Sequence, residues 1–366
     1  MKRFYRAAIY IAVIALTFVS CSTIPVADID NPSPYAMFIT LDVPGKLTSP
    51  MYYVNGEEIK KIDEGLYGIL LNNYTIIYLK QTANMDNPDL MYKNLKTGRT
   101  VKLISGNQFG TIIGMIASPQ REKIILHIWP DGIATGNNLF IMLDKNNILK
   151  NPTNIHITML GKGKLYSIIK WIAAVSDDGS IVYVGSNGAP DEALVYRDKT
   201  GKEKIISKYK ANGDFDAIIN QGLTPPYQVA YIDQDKVYLL GKSGVWTYLP
   251  ASGELKLKYP LSSVPSEGLW IDKNSSELIV WGFKLGKATI KIYNLDGNMI
   301  QTASGVRISD PRIINGKLFA IGYVKEKTVY SYTIGEVNIM NTSSITLKRM
   351  FISKDDIKWW DIIAQH

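Results

Sequence analysis

Short runs of Ile, Val, Tyr and Leu return along the whole chain, each cut by Gly, Asn, Asp or Ser, while stretches with a 3.6-residue apolar period are nearly absent. A chain with that rhythm places its side chains alternately on two faces and folds as strands, so the fold class is all-β. One hairpin recurs: an aromatic-bearing strand, a Gly or Asn turn, then a strand that often carries Lys. Its turns centre on Gly56, Gly98, Asn147, Gly201, Gly253, Gly297 and Gly335. The intervals of roughly 40 to 55 residues are those of a repeat architecture. Gly and Asn suit these turns because they tolerate the positive φ of a tight hairpin.

Two further strand-like runs precede six of the hairpins. They are Tyr67 to Leu71 with Tyr74 to Leu79, Thr111 to Ala117 with Lys123 to Ile128, and Trp171 to Val175 with Ser180 to Val184. The series continues with Gln228 to Ile232 and Lys236 to Leu240, Leu269 to Ile271 and Glu277 to Trp281, then Arg312 to Ile314 and Lys317 to Tyr323. Four strands per repeat is the blade of a β-propeller. The hairpins give seven blades, although their irregular spacing also admits six or eight. The first hairpin has only Ala36 to Val43 before it and lacks an innermost strand. The run Lys358 to Ala364 resembles the innermost run Lys170 to Ala174, so the last segment is expected to close the ring from the other chain end. Closure of that kind removes large sheet edges.

Ser176-Asp177-Asp178-Gly179, and in part Ser118-Pro119, match the polar turn between the first two strands of WD40-like and TolB-type propeller repeats of exported bacterial proteins. The resemblance spans residues 36–366 and implies a propeller domain. The recurring Gly-His and Trp-Asp dipeptides of true WD40 repeats are missing; the single Trp-Asp is Trp360-Asp361, in the last segment.

The first residues set the compartment. Lys2, Arg3 and Arg6 precede an uncharged apolar run, Ala7 to Val19. That is the layout of a secretory signal peptide, and at about 20 Å of helical rise the run is too short for a permanent span. Phe18-Val19-Ser20-Cys21 resembles the bacterial lipobox, with Phe18 where Leu is usual. The resemblance implies cleavage after residue 20 and lipidation of Cys21, the only cysteine. Residues 21–35, with three prolines, then form an extended tether of at most about 45 Å. Two or three acyl chains anchor a protein stably. The expected location is therefore the cell envelope, and Ser22, which is no Asp-type retention signal, tilts the choice to the outer membrane.

Three of the positive charges behind the formal +8 belong to the leader. The others are scattered, without an arginine cluster, which argues against nucleic acid as a partner. A lone cysteine builds neither a zinc nor an iron-sulfur site, and neither metal nor cofactor is expected. No HExxH, G-x-S-x-G or GxxxxGK[ST] motif occurs, and His127, His156 and His366 have no nucleophile or metal partner nearby in sequence. Asp272 to Glu277 lacks the glycine and the final glutamate of a calcium loop. No catalytic residue is assigned.

In a propeller the second-to-third-strand loops and the interblade segments share one face, and here they are the long ones: 81–89, 130–138, 186–192 and 211–227. Binding usually resides on long loops carried by a rigid scaffold. The same face holds Asp86, Asp89, Asp131, Asp191, Glu192, Asp214 and Asp216, which would attract a basic partner. Asp also populates loops simply as a turn former. The resulting expectation is a protein-binding or envelope-assembly scaffold that meets envelope proteins through this face. The alternative is a propeller enzyme that processes an envelope carbohydrate or peptide, its carboxylates converging from distant blades.

Overall fold

The computed structural model describes residues 35–364 apart from 46–47, 56–57, 82–86, 132–137, 212, 216–229, 234, 262–266 and 327–328. The expected signal peptide, Cys21 and the expected tether as far as residue 34 lie outside the described residues; Tyr35, expected to end the tether, instead begins the first strand. Among the described residues no helix is long and apolar enough to cross a membrane.

Every strand pair is antiparallel, and five sheets have four strands in simple order. The first consists of β7 (Thr111–Ala117), β8 (Lys123–Trp129), β9 (Leu139–Asp144) and β10 (Ile157–Leu160). The second has β11 (Ile168–Val175), β12 (Ile181–Ser186), β13 (Glu192–Arg197) and β14 (Glu203–Lys208). Then come β15 (Ala230–Asp233) to β18 (Glu254–Pro260), β19 (Gly268–Asp272) to β22 (Met299–Val306), and β23 (Ile308–Ile314) to β26 (Ser344–Ser353).

The remaining sheet has seven strands, because one strand serves twice. β1 (Tyr35–Asp42), β2 (Ser49–Asn55), β3 (Glu58–Asn72), β4 (Thr75–Lys80), β5 (Asp89–Asn94), β6 (Thr100–Ile104) and β27 (Asp356–Ala364) run in the order β27-β1-β2-β3-β4-β5-β6. The first half of β3 pairs with β2 up to Gly65, and the second half pairs with β4 from Gly65 onward. Glycine is needed at the change of partner. A Cβ at Gly65 would stand 2.2 Å from the Leu79 carbonyl oxygen, and one at Gly68 would stand 2.6 Å from the Phe38 ring. The expected pairing of the two chain ends is present: Tyr35 faces Ala364, and β1 stays paired to β27 down to Asp42.

Second strands such as β12 are buried on both faces, which is why they read as unbroken apolar runs. Fourth strands such as β18, with Glu254, Lys256 and Lys258, are more exposed and carry charge. First strands gather at the centre, β3 beside β7, β7 beside β11, β11 beside β15, and β23 between β19 and β27. Apolar clusters fill the spaces between sheets, with Trp281, Trp360, Tyr183 and Phe319 among the largest fully buried side chains.

The expected hairpin turns at Gly98, Gly201, Gly253 and Gly297 all have positive φ. Gly56 lies outside the described residues. Two assignments need correction. Asn147 sits in a short helix, α2 (Lys145–Lys150), which follows α1 (Gly106–Phe109) in the chain, and its N–H is capped by the Asp144 carboxylate at 3.0 Å. Gly335 lies inside β25 (Val329–Asn341), where the register slips and a Cβ would stand 2.4 Å from the Lys348 carbonyl. It serves close packing, and the turn of that hairpin is at 341–344.

Candidate functional site

A cavity of about 880 Å³ opens where the first strands converge. Its rim consists of the turns from first to second strand: Asn72 to Thr75, Ser118 to Arg121, Asp272 to Asn274, and Ile314 with Asn315. Lys96 and Thr97 join from a third-to-fourth-strand turn, and the end of β27, Ile362 to Ala364, completes it. The mouth therefore lies on the tight-turn face, opposite the long loops.

Apolar and aromatic side chains form the walls: Ile69, Leu71, Met115, Trp171, Tyr231, Trp270, Ile313 and Trp359. The indole N–H groups of Trp270 and Trp359 donate to the carbonyls of Ile313 (2.9 Å) and Gly68 (2.8 Å), so their polar edges are satisfied in the wall.

One wall conceals a charged cluster. Arg312, 2% exposed, pairs with Asp310 at 2.8 Å and lies 3.7 Å from Asp361. Asp361 in turn pairs with Arg121 at 2.7 Å and accepts the Leu70 N–H at 2.9 Å. Arg121 also donates to the Ile362 carbonyl at 3.1 Å. Trp360 donates its indole N–H to Asp310. The Arg312 guanidinium packs against the rings of Trp360 (4.3 Å), Trp270 (4.9 Å) and Trp359 (5.9 Å). Arginine suits such a place because its weakly hydrated planar cation stacks on aromatic faces. Two acids balance two bases, which burial on this scale requires.

The cluster is strained as well as buried. Asp310 and Arg121 have φ of 45° and 62°, a region non-glycine residues rarely occupy outside sites that hold them there. Burial pushes the Asp310 carboxyl up, against the pull of Arg312 and the Trp360 N–H. Burial also lowers the Arg121 pKa, with Asp361 opposing and Arg312 adding to the decrease.

Neutral side chains dominate the mouth, with Asn72, Asn73, Asn94, Gln120, Asn274 and Asn315 around it. Two rim lysines are paired, Lys145 with Glu122 at 3.0 Å and Lys273 with Asp233 at 2.5 Å.

The acidic residues expected to mark a site are dispersed. Asp86 and Asp216 lie outside the described residues. Asp89 pairs with Lys102 at 2.6 Å and accepts the Gly106 N–H, and both interactions hold its carboxyl below the usual range despite burial. Glu192 is buried against Lys170 at 2.7 Å. Asp191 accepts from the Asn187 amide at 3.0 Å. Asp214 takes hydrogen bonds from the Ser243 N–H, the Ser243 hydroxyl and the Trp246 indole, fastening a loop to β16 (Lys236–Gly241) and β17 (Gly244–Leu249). Asp131 is exposed. Among the described residues no three His, Cys, Asp or Glu side chains converge as a metal ion would require. His127 is buried against Phe140 and bonded to Asn138 at 2.9 Å; burial lowers its pKa, opposed by that bond.

No protein-family model matches the chain, and no curated protein matches it either. Solved structures do. A prolyl endopeptidase superposes with a TM-score of 0.55 at 12% identity, over 90% of this chain and 49% of that one. The chain thus spans about half of that enzyme's length. The β-propeller domain of the Trilobed protease from Pyrococcus furiosus gives a TM-score of 0.53 at 11% identity, over 86% of this chain and 94% of that domain. The chain is a β-propeller. TolB from Acinetobacter baumannii aligns with the propeller at a TM-score of 0.41 and 13% identity, over 79% of this chain and 70% of that one. Likeness at this identity identifies the fold, and the propeller's own side chains must supply any functional argument.

Proposed function

We propose that this propeller is a lipid-anchored binding protein of a bacterial cell envelope, which takes part of a partner envelope protein into its central cavity. The observation that carries the reading is the cavity itself: about 880 Å³, walled by three tryptophans and aliphatic side chains, with neutral amides at its mouth. Large apolar concavities with a few fixed polar groups are where propeller-sized proteins take ligands. The expected binding face thereby moves from the long loops to the opposite end, since four of the long-loop acids, Asp89, Asp191, Glu192 and Asp214, are committed to internal partners.

The ring is read as seven-bladed. With β27 as first strand of the blade β27-β1-β2-β3, and β3 as first strand of the next, the innermost strands are β27, β3, β7, β11, β15, β19 and β23. Pairing of the two chain ends then closes the ring. Envelope residence and the anchor rest on the charged leader, its apolar run and the Ser20-Cys21-Ser22 junction; the outer membrane is favoured because Ser22 follows the cysteine.

Photo-crosslinkers placed in turn at Asn73, Asn274 and, as a control, Asp131 test the site. One partner of the same size captured from the envelope at both mouth positions, absent at Asp131 and lost when Asn73→Trp narrows the mouth, is the expected result. Capture at Asp131 alone, or turnover of an envelope polymer with no partner captured, would overturn it.

A further inference from the structure

We infer that the cavity receives the free C-terminal carboxylate of a peptide ending in an apolar residue, with Arg121 as the group that binds it. This rests on the cavity being the binding site, and adds the ligand's chemistry.

Arg121 lines the cavity from the turn between β7 and β8, and its side chain keeps 16% of its surface exposed. Both of its protein acceptors, Asp361 and the Ile362 carbonyl, are met by Nη2. A guanidinium carries five donors in a planar fork, so the Nε and Nη1 donors are left for a ligand, and a carboxylate matches a pair of them. The side chain is held in place by its two bonds, to Asp361 at 2.7 Å and to the Ile362 carbonyl at 3.1 Å. A fixed guanidinium loses little freedom when it binds.

The four charges of this wall cancel, so what favours a ligand carboxylate is local: the acid that Arg121 meets is shared with a second guanidinium. Asp361 answers both Arg121 and Arg312, while Asp310, the second acid, is only 3% exposed and sits behind Arg312. A ligand carboxylate at Arg121 would occupy the guanidinium donors that Asp361 does not take, where partial exclusion of water strengthens the bond.

The rest of the cavity selects the remainder of the ligand. Ile69, Leu71 and Met115 offer an apolar surface suited to a terminal aliphatic or aromatic side chain. Amides such as Asn73 and Asn274 at the mouth can both donate to and accept from the backbone of the preceding residues. An acidic sugar would carry its hydroxyls against the aliphatic wall and lose their hydration without replacement, which disfavours it.

The test uses the soluble domain from Ser22 to His366 and an array of peptides tethered by their N-termini, covering every C-terminal dipeptide in free-acid and amidated form. Binding is expected for free acids with an apolar last residue and to fall about ten- to a hundredfold on amidation. Arg121→Gln should abolish the difference between acid and amide, and Arg121→Lys should restore part of it. Asn73→Trp, which leaves the ionic cluster intact, should weaken acid and amide alike; this separates a blocked cavity from a misfolded Arg121 variant, whose melting is measured in parallel. Equal binding of acids and amides, retention of the preference in Arg121→Gln, or binding of acidic oligosaccharides in place of every peptide would overturn the inference. If crosslinking at the mouth still captures a partner in that case, the cavity stands as the site and only the carboxylate is lost.

Discussion

Arg121 and Asp361 stand 240 positions apart in the chain and meet at 2.7 Å, joining the turn after β7 to the strand that ends the domain. Asp361 is also close to Arg312, so its carboxylate is the hinge of an Arg-Asp-Arg arrangement. Asp361→Asn should destabilise the domain by about 3–5 kcal/mol, since Arg121 then loses its carboxylate while Arg312 keeps Asp310. In a double-mutant cycle, Arg121→Met added to Asp361→Asn should cost less than the two single changes together, with a coupling of about 0.5–3 kcal/mol. Urea unfolding of the four proteins checks both statements.

Removal of residues 356–366 should destabilise the whole domain. The deletion takes Trp360 and Ile362, both fully buried, together with Asp361, and leaves β1 without its partner. One large aromatic removed from a core costs about 3–5 kcal/mol against total stabilities of about 5–15. A melting temperature equal to that of the intact domain would mean that β27 contributes no closure.

Acid should weaken the domain through Glu203. Burial alone would raise its carboxyl, but the N–H groups of Leu165 and Lys164 and the Arg197 guanidinium together hold it below its ordinary 4.5. A depressed carboxylate contributes stability above its unfolded pKa and loses it as pH falls through the folded one. Stability of the native chain should therefore decline below about pH 4.5, and Glu203→Gln, less stable at neutral pH, should show a shallower acid limb. Denaturant midpoints across that range give the comparison; parallel curves would remove Glu203 as a contributor.

Cys21→Ser should shift the protein from the detergent phase to the aqueous phase, or leave an unprocessed precursor in the membrane. Equal lipid labelling and partitioning of both forms would show that Cys21 carries no anchor.

Strands were legible wherever an apolar run was bounded by turn residues, and β7 has the bounds its sequence predicts. The likeness of Lys358 to Ala364 and Lys170 to Ala174 was informative too: Trp171 and Trp359 both line the cavity. β3 is less legible, because Lys60, Lys61, Asp63 and Glu64 interrupt its apolar pattern, and the sequence assigns its two halves to separate repeats. The ionic cluster left no local trace. Trp360 reaches Asp310 across 50 positions, and nothing in the identity of Arg121 or Asp310 announces a positive φ. Loop length points to the long-loop face, but whether a propeller is open at its axis depends on the side-chain volumes of all its innermost strands. Those volumes combine only after folding.

β1 begins at Tyr35 beside Ala364, on the rim of the cavity. Anything that precedes Tyr35 consequently departs from the mouth side, and a lipid on Cys21 would pull on the domain from there. The propeller would then hang mouth-down over its own bilayer. Its long loops would point into the aqueous space, and a ligand would have to enter through the gap beneath, which the thirteen residues 22–34 could span to at most about 45 Å.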